Sequence, residues 1–384
     1  MKQTVGLTST YSSDEFGICS ALYELGGMVV MHDASGCNST YTTHDEPRWY
    51  EMDSLIFISA ISEMEAVMGD DDKLIRDIIE TAERLQPAFI AIVGAPIPYM
   101  IGTDLEAIAM IVEAETGIPS FGFPANGMQN YTIGISMALE TLTKRFCTEK
   151  LPKTERMSVN VLGATPLDFS LNGSIDSIRK WLLEQQMDFN SCFAMGSSLE
   201  EIREASKAHV NLVISYGGLK AAKRLEERFG IPYVIGVPFG KSYADQLAWE
   251  VHEAVRTKQS RIAFKKVQRK AKKQFVMIGE IVFCTSLATA VELEYPDIDI
   301  RVLTPLDTAN ELLRDGDKRA GEEDDLMRYL NDADGVIADP LYRPLCRQTT
   351  FYSMPHIAFS GRIYEKEIPD LINRKLKYRE ETLC

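Results

Sequence analysis

The chain has 384 residues, an apolar content of 45% and a formal charge of -15, enough length for two or three domains with separate cores. That charge disfavours nucleic acid or an anionic membrane as a partner and suits a basic patch on another protein. The polar start Met1-Lys2-Gln3-Thr4-Val5 has no secretory pattern, no apolar run reaches membrane-spanning length, and the seven cysteines are scattered without a CxxC; a cytoplasmic location without a disulfide framework is expected.

In chain order, a helix is expected from near Gly17, followed by a buried strand at Gly27-Met28-Val29-Val30. The strand opens onto Met31-His32-Asp33-Ala34-Ser35-Gly36-Cys37. A cysteine just after a strand and a glycine sits on an open loop where backbone amides can approach it, a better place for a metal-holding thiolate than for a core cysteine. Further strands are expected at 55–61, 89–94, 120–124, 159–163, 190–195, 210–216, 233–237, 275–282, 300–304, 335–339 and 356–360. Many are continuously apolar, as in parallel sheets buried on both faces. Amphipathic helices are expected between them at 73–85, 104–115, 175–186, 199–207 and 219–229. The alternation gives βαβ units and a fold of three Rossmann-like α/β domains, mostly parallel doubly wound sheets around a central cleft.

A weak repeat supports several similar domains: Gly117-Ile118-Pro119-Ser120-Phe121-Gly122-Phe123-Pro124 returns as Gly230-Ile231-Pro232-Tyr233-Val234-Ile235-Gly236-Val237-Pro238, with a looser echo at Met354-Pro355-His356-Ile357. The domains are expected at 1–155, carrying the cysteine loop and a dimer interface, 156–272 and 273–384, with a linker at 148–155 and the basic run 261–273 in a connecting helix. No GxGxxG or GxxxxGK[ST] follows a strand, so no nucleotide is expected to bind this chain. Cys147, Cys192 and Cys284 lie in apolar or helical contexts and read as packing residues.

Several segments together resemble the nitrogenase component 1 superfamily. His32-Asp33-Ala34-Ser35-Gly36-Cys37 is similar to its His-Gly-Pro-x-Gly-Cys signature, and Ser62-Glu63-Met64-Glu65-Ala66-Val67-Met68-Gly69-Asp70 to its Thr-Glu-x-x-Val-x-Phe-Gly-Gly segment. Ala95-Pro96-Ile97-Pro98-Tyr99-Met100-Ile101-Gly102-Thr103-Asp104 is similar to its Cys-Pro-x-x-x-Ile-Gly-Asp-Asp segment, and Gly117-Ile118-Pro119 recurs in place. The resemblance implies an iron–sulfur oxidoreductase subunit that receives electrons from an ATP-dependent iron–sulfur reductase and reduces a small molecule in the interdomain cleft, in a homodimer or paired with a homologous subunit. It also implies anaerobic handling.

The departures matter. The family's three cluster cysteines map near Ser13, onto Cys37, and onto Ala95 or Pro96, so one of the three is kept. Cys19 lies about six residues, roughly two helical turns, beyond Ser13 and is the nearby replacement. Iron–sulfur clusters commonly take four thiolates. Cys19 and Cys37 from each of two chains around a two-fold axis would make four, a [4Fe-4S] or larger cluster shared between subunits. The alternatives are a metal-free relic loop, or Cys37 ligating with Ser13 completing the shell. His32, Gly36, His44, Asp45 and Arg48 would surround the metal, with His32 orienting the loop and His44, Asp45 and Arg48 serving as hydrogen-bonding partners or a proton relay, unless they form only a capped polar loop. In the last domain, Cys346 and His356 flank strand-end loops, and Arg343, Arg347 and Arg362 suit substrate carboxylates, with surface salt bridging as the plain alternative. The rival functions are a non-catalytic scaffold for cluster or cofactor assembly and a metal-free small-molecule binding module.

Overall fold

The computed structural model describes residues 12–38, 41, 45–265, 271–346, 349–379 and 382–383. Among them, three sheets succeed one another along the chain. The first holds β1 (Met28–Met31), β2 (Leu55–Ile58), β3 (Ile90–Val93) and β4 (Ser120–Phe123), all parallel in the order β2-β1-β3-β4. The second holds β5 (Ser158–Leu162), β6 (Asp188–Cys192), β7 (Val210–Val213), β8 (Tyr233–Ile235) and β9 (Arg261–Ile262), parallel in the order β6-β5-β7-β8-β9. The third holds β10 (Lys273–Ile278), β11 (Ile298–Thr304), β12 (Lys318–Arg319), β13 (Gly335–Ala338), β14 (Thr350–Ser353), β15 (Tyr378–Arg379) and β16 (Thr382–Leu383). Its order is β12-β11-β10-β13-β14-β16-β15, with only the β15–β16 pair antiparallel. The expected fold class is therefore present.

Every residue of β1, β3, β5, β7 and β13 is buried; β1, β3 and β13 are apolar throughout, while Asn160 of β5 and Asn211 of β7 are buried against each other, the Asn160 side-chain amide donating to Asn211 Oδ1 at 2.9 Å. In each sheet the first strand lies beside the point where the strand order reverses, the place where open α/β sheets hold ligands. The loops leaving β1, β5 and β10 are therefore the natural places for a functional site.

The helices begin with α1 (Asp14–Leu22), α2 (Glu63–Met68), α3 (Asp72–Leu85), α4 (Pro96–Ile101), α5 (Leu105–Thr116) and α6 (Tyr131–Phe146). In α3, Leu74, Ile78 and Ala82 recur every four residues and form the buried stripe. A capping box at Ser62 and Glu65 starts α2, and Gly69 ends it in the left-handed conformation. The helices α1 and α6 cross at two glycines: a Cβ on Gly17 would overlap the Tyr131 carbonyl, and one on Gly134 would overlap the Asp14 carbonyl. The remaining helices are α7 (Pro166–Phe169), α8 (Ser174–Glu184), α9 (Leu199–Arg203), α10 (Leu219–Phe229), α11 (Ser242–Thr257), α12 (Ile281–Glu294), α13 (Glu323–Leu330) and α14 (Ile357–Ser360). Residues Ile281 to Glu292 of α12 are all buried, so this helix is enclosed on every side. No helix among the described residues is long and apolar enough to cross a membrane.

Three sequence expectations differ from the structure. The strand expected at 356–360 is the helix α14, and the neighbouring strand is β14; a five-residue apolar run does not separate the two states. The strand expected at 275–282 stops at Ile278, because Glu280 caps α12 by accepting the Phe283 amide. The basic run 261–273 is not a helix at either end: Arg261–Ile262 is β9 and Lys273 opens β10.

Candidate functional site

At the carboxyl end of β1, Asp33 shapes the loop. Its carboxylate accepts the Ala34 amide and the Asn38 side-chain amide, each at 2.8 Å, and the Cys37 amide donates to the Ala34 carbonyl at 3.1 Å. This tight turn leaves Gly36 and Cys37 exposed, and a Cβ on Gly36 would meet nothing within 4 Å. Gly36 is therefore not required by any close approach within this chain.

His32 is buried beneath the loop. Its Nδ1 lies 2.8 Å from the Ser59 hydroxyl, which also accepts the Asp33 amide at 3.2 Å. His32 thus anchors the base of the loop through Ser59, a partner that the sequence reading missed. Burial holds the imidazole neutral, with its pKa lowered to about 4, and its buried Nε2 has no partner among the described residues.

The surroundings of Cys37 are acidic. Glu15 is buried, its Oε2 has no hydrogen-bond partner among the described residues, and desolvation together with the charges of Asp14 and Asp33 raises its carboxyl to about 7. Asp14 accepts the Gly127 amide at 2.9 Å and the Asn126 amide at 3.1 Å, tying α1 to the loop after β4. Desolvation, then Asp33 and Glu15, push the Cys37 thiol up, so this environment favours the thiol over the thiolate. The sequence reading missed this acidic cluster, although two acids directly after Ser13 were a usable signal for it.

The expected companions of Cys37 are not gathered around it. Cys19 is fully buried in the core on α1, and burial raises its thiol well above the ordinary range. A side chain enclosed in the core cannot meet a cluster on a subunit face, so Cys19 is corrected from metal ligand to packing residue. Ser13 precedes α1 as its N-cap and pairs in an isolated antiparallel bridge with Asn130. Arg48 is also buried and belongs to a brace: it donates to Glu46 at 2.6 Å, Glu24 at 2.9 Å and the carbonyls of Ser20 at 2.8 Å and Ala194 at 3.3 Å. Its guanidinium is fully committed inside the protein, which corrects its expected place beside a cofactor. Asp45 is half-buried, and His44 lies outside the described residues.

These residues do not fit the cluster that the family resemblance implies. Among the described residues there is one exposed sulfur per chain, which gives two in a symmetric pair, against the four thiolates such a cluster commonly takes. Among the described residues no group of three or more His, Cys, Asp or Glu side chains is placed to hold a metal ion. The donor set of this chain by itself therefore supports no chemical step through such a cluster.

A second polar site lies where the three sheets meet. Asp168 comes after β5, Glu280 after β10 and His356 after β14, and Tyr131 opens α6 after β4. All four are buried. The Tyr131 hydroxyl donates to Asp168 Oδ1 at 2.5 Å, and His356 Nε2 stands 3.2 Å from the same oxygen. The imidazole is walled by Tyr131, Phe283 and Phe359. Among the described residues, Asp168 Oδ2, His356 Nδ1 and Thr165 Oγ1 have no hydrogen-bond partner. Glu280 accepts the amides of Phe283 at 2.7 Å and Tyr216 at 2.9 Å, while burial and then the Asp168 charge push its carboxyl up to about 8. Just after Asp168, Ser170 takes φ 54 and ψ -165, a region costing a non-glycine residue about 1–3 kcal/mol. Only His356 of this set was singled out from sequence; the others come from three separate segments that only the tertiary fold unites.

The arginines expected beside His356 are not gathered into a carboxylate site. Arg362 pairs with Glu365 at 2.9 Å, Arg343 stacks over Phe351 at 5.5 Å, and Arg347 lies outside the described residues. Cys346 is buried with its Sγ 3.5 Å from the Tyr342 carbonyl.

The family model described as nitrogenase component 1 type oxidoreductase matches residues 21–281, more than half of the chain. The chain belongs to that family. It is 28% identical over 162 residues to a light-independent protochlorophyllide reductase subunit of Chloroflexus aggregans, covering 42% of this chain and 29% of that one. It is 28% identical over 184 residues to the nitrogenase iron-molybdenum cofactor biosynthesis protein NifE of Clostridium pasteurianum, covering 46% and 38%. The nitrogenase molybdenum-iron protein alpha chain of Clostridium pasteurianum is 25% identical over 182 residues, covering 47% and 33%. The chain thus spans about a third of the length of these curated relatives. A solved structure, "Nitrogenase Cp1 at pH 6.5", superposes with a TM-score of 0.70 over 94% of this chain and 89% of that one at 15% identity, a likeness of fold.

Proposed function

We propose that this component 1 family member is one subunit of a nitrogenase-like two-component reductase, pairing with a second component 1 subunit through the carboxyl edge of its first sheet. The observation that carries this is the apolar rim around Cys37. Met64, Val67 and Met68 after β2, Tyr99 and Met100 after β3, and Met128 after β4 are between 55% and 77% exposed. Exposed large apolar groups on three successive strand-end segments mark a surface that is covered in the working assembly. With one exposed thiol among the described residues of this chain, a homologous subunit bringing three further sulfurs completes a four-thiolate set, whereas the described residues of a second copy do not. Electrons would come from an ATP-dependent iron–sulfur reductase, and a small molecule would be reduced where the three sheets converge.

The likeness to the cofactor biosynthesis protein NifE favours a second reading, an assembly scaffold that passes a cluster or cofactor on without turnover. The thiol deficit favours a third, a metal-free binding module. The test is iron and acid-labile sulfide content after anaerobic purification, for the chain alone and co-expressed with a component 1 subunit from the same genome. The pairing reading expects metal in the co-purified pair and its loss in Cys37→Ala. It also expects the pair to separate in Met100→Asp during gel filtration. An intact pair in Met100→Asp would overturn the assigned face, and metal unchanged in Cys37→Ala would overturn the role of the thiol. Iron handed to an acceptor without turnover would select the scaffold, and no iron in either preparation the binding module.

A further inference from the structure

Between α3 and the edge strand β2, the first sheet holds a cavity of about 190 Å³ that none of the sites above uses. The strand register builds it. Met28 and Val30 of β1 share a face with Phe57 of β2, and α3 lays Leu74 and Ile78, four positions apart, against that face. Because β2 is the edge of the sheet, the roof is incomplete there and Phe57 stays 38% exposed. The cavity turns polar at Ser59 and Asp77. These two residues and Leu74 also line an adjoining space of about 10 Å³ beneath His32, room for one water-sized group.

His32 is 3% exposed, and among the described residues its Nε2 has no hydrogen-bond partner. The other nitrogen is committed. Ser59 Oγ accepts the Asp33 amide at 3.2 Å and donates to the Asp33 carbonyl at 3.4 Å, so it accepts from His32 Nδ1 at 2.8 Å. In that tautomer Nε2 presents a lone pair to the small space. Glu65, Asp70 and Asp77 border the same space, and the one cation among its lining residues, Lys73, stands 3.2 Å from Glu65 and 3.7 Å from Asp77. Three carboxylates against one ammonium leave the polar end electronegative.

An apolar chamber that ends in an unfilled acceptor and surplus negative charge defines its complement: a small hydrocarbon body carrying a cationic N–H donor. An apolar cavity of roughly 150 Å³ takes up benzene, so this one has room for a single ring with a short arm. We propose that the cavity binds a small apolar primary amine, with its hydrocarbon between β1, β2 and α3 and its ammonium donating to His32 Nε2 and Asp77. The amine would meet the anchor of the Cys37 loop, because the same imidazole holds Ser59 and through it Asp33, whose carboxylate shapes the turn. The site is independent of any metal at Cys37 and of the pairing face.

The test is isothermal titration calorimetry of the full chain at pH 7.5 with benzylamine, toluene and benzoate as probes. Benzylamine should bind at one site, toluene about tenfold more weakly for want of the charged hydrogen bond, and benzoate not at all. In His32→Asn the side-chain amide can still donate to Ser59 while the acceptor at the Nε2 position is gone. That variant should bind benzylamine about tenfold more weakly and toluene as before. Ile78→Phe fills the chamber and should abolish binding of both. Absence of saturable benzylamine binding, benzoate binding as tight as benzylamine, or benzylamine affinity unchanged in either variant would each overturn the site. Should Ile78→Phe fail to fold, the three probes and His32→Asn still decide.

Discussion

Replacing Arg48 with alanine removes the cation from a closed internal network. Arg48 and Glu46 are 2% and 1% exposed, and the ion pair at 2.6 Å is the shorter of two that the guanidinium makes. The substitution also removes the group over the Tyr23 ring at 4.6 Å and the donors to the Ser20 and Ala194 carbonyls, the second of which ties the first sheet's domain to the second's. Breaking a buried pair from one side costs about 3–5 kcal/mol, because the remaining charge stays buried and uncompensated. Glu24 keeps its bond to the Gly196 amide at 2.7 Å and is partly solvated, so most of the loss falls on Glu46. Urea unfolding at pH 7.5 should show that loss. Arg48→Met combined with Glu46→Gln should recover at least half of the stability. A loss under about 1 kcal/mol would refute the brace and leave open the place beside the Cys37 loop that the sequence suggested for Arg48.

The loop after β1 gives two further expected outcomes. The pKa of His32 is depressed in the fold to about 4, so its contribution is present above the unfolded value near 6.5 and is lost as pH falls toward 4. It amounts to about 3 kcal/mol at most. His32→Gln should remove that slope from stability measured between pH 7 and 4, and an unchanged slope would refute the assignment. Cys37 is the one exposed cysteine among the described residues, so iodoacetamide and then peptide mass analysis should find it labelled in the native protein while Cys19, Cys147, Cys192 and Cys284 react only in denaturant. Its rate at pH 7.5 should fall below that of a free thiol and should rise in Glu15→Gln. Labelling of native Cys19 would contradict its place in the core.

The sheets were legible in the sequence because strands such as β1 and β3 are buried on both faces and are apolar throughout. Short runs such as 356–360 were not, since a few apolar residues suit a helix turn or a strand equally well. The loop carrying Cys37 was legible because its glycine, cysteine and flanking histidine occur together within a few residues. The side that Cys19 faces was not, because α1 packs against α6 through Gly17 and Gly134 and nearly all of its residues are enclosed. The meeting of Asp168 with Glu280 joins positions more than a hundred residues apart, which no local pattern encodes.

The glycine crossing of α1 and α6 also has a mechanical meaning. Between them the two helices reach both ends of the molecule's chemistry: α1 begins with Asp14 and Glu15 under the Cys37 loop, and α6 begins with Tyr131 at the three-sheet junction. With backbone against backbone at Gly17 and Gly134, no flexible side chain lies between them to absorb a displacement. A side chain larger than glycine at either crossing point would force the two helices apart, so the acids beneath Cys37 and Tyr131 at the three-sheet junction are held in place by one shared steric requirement.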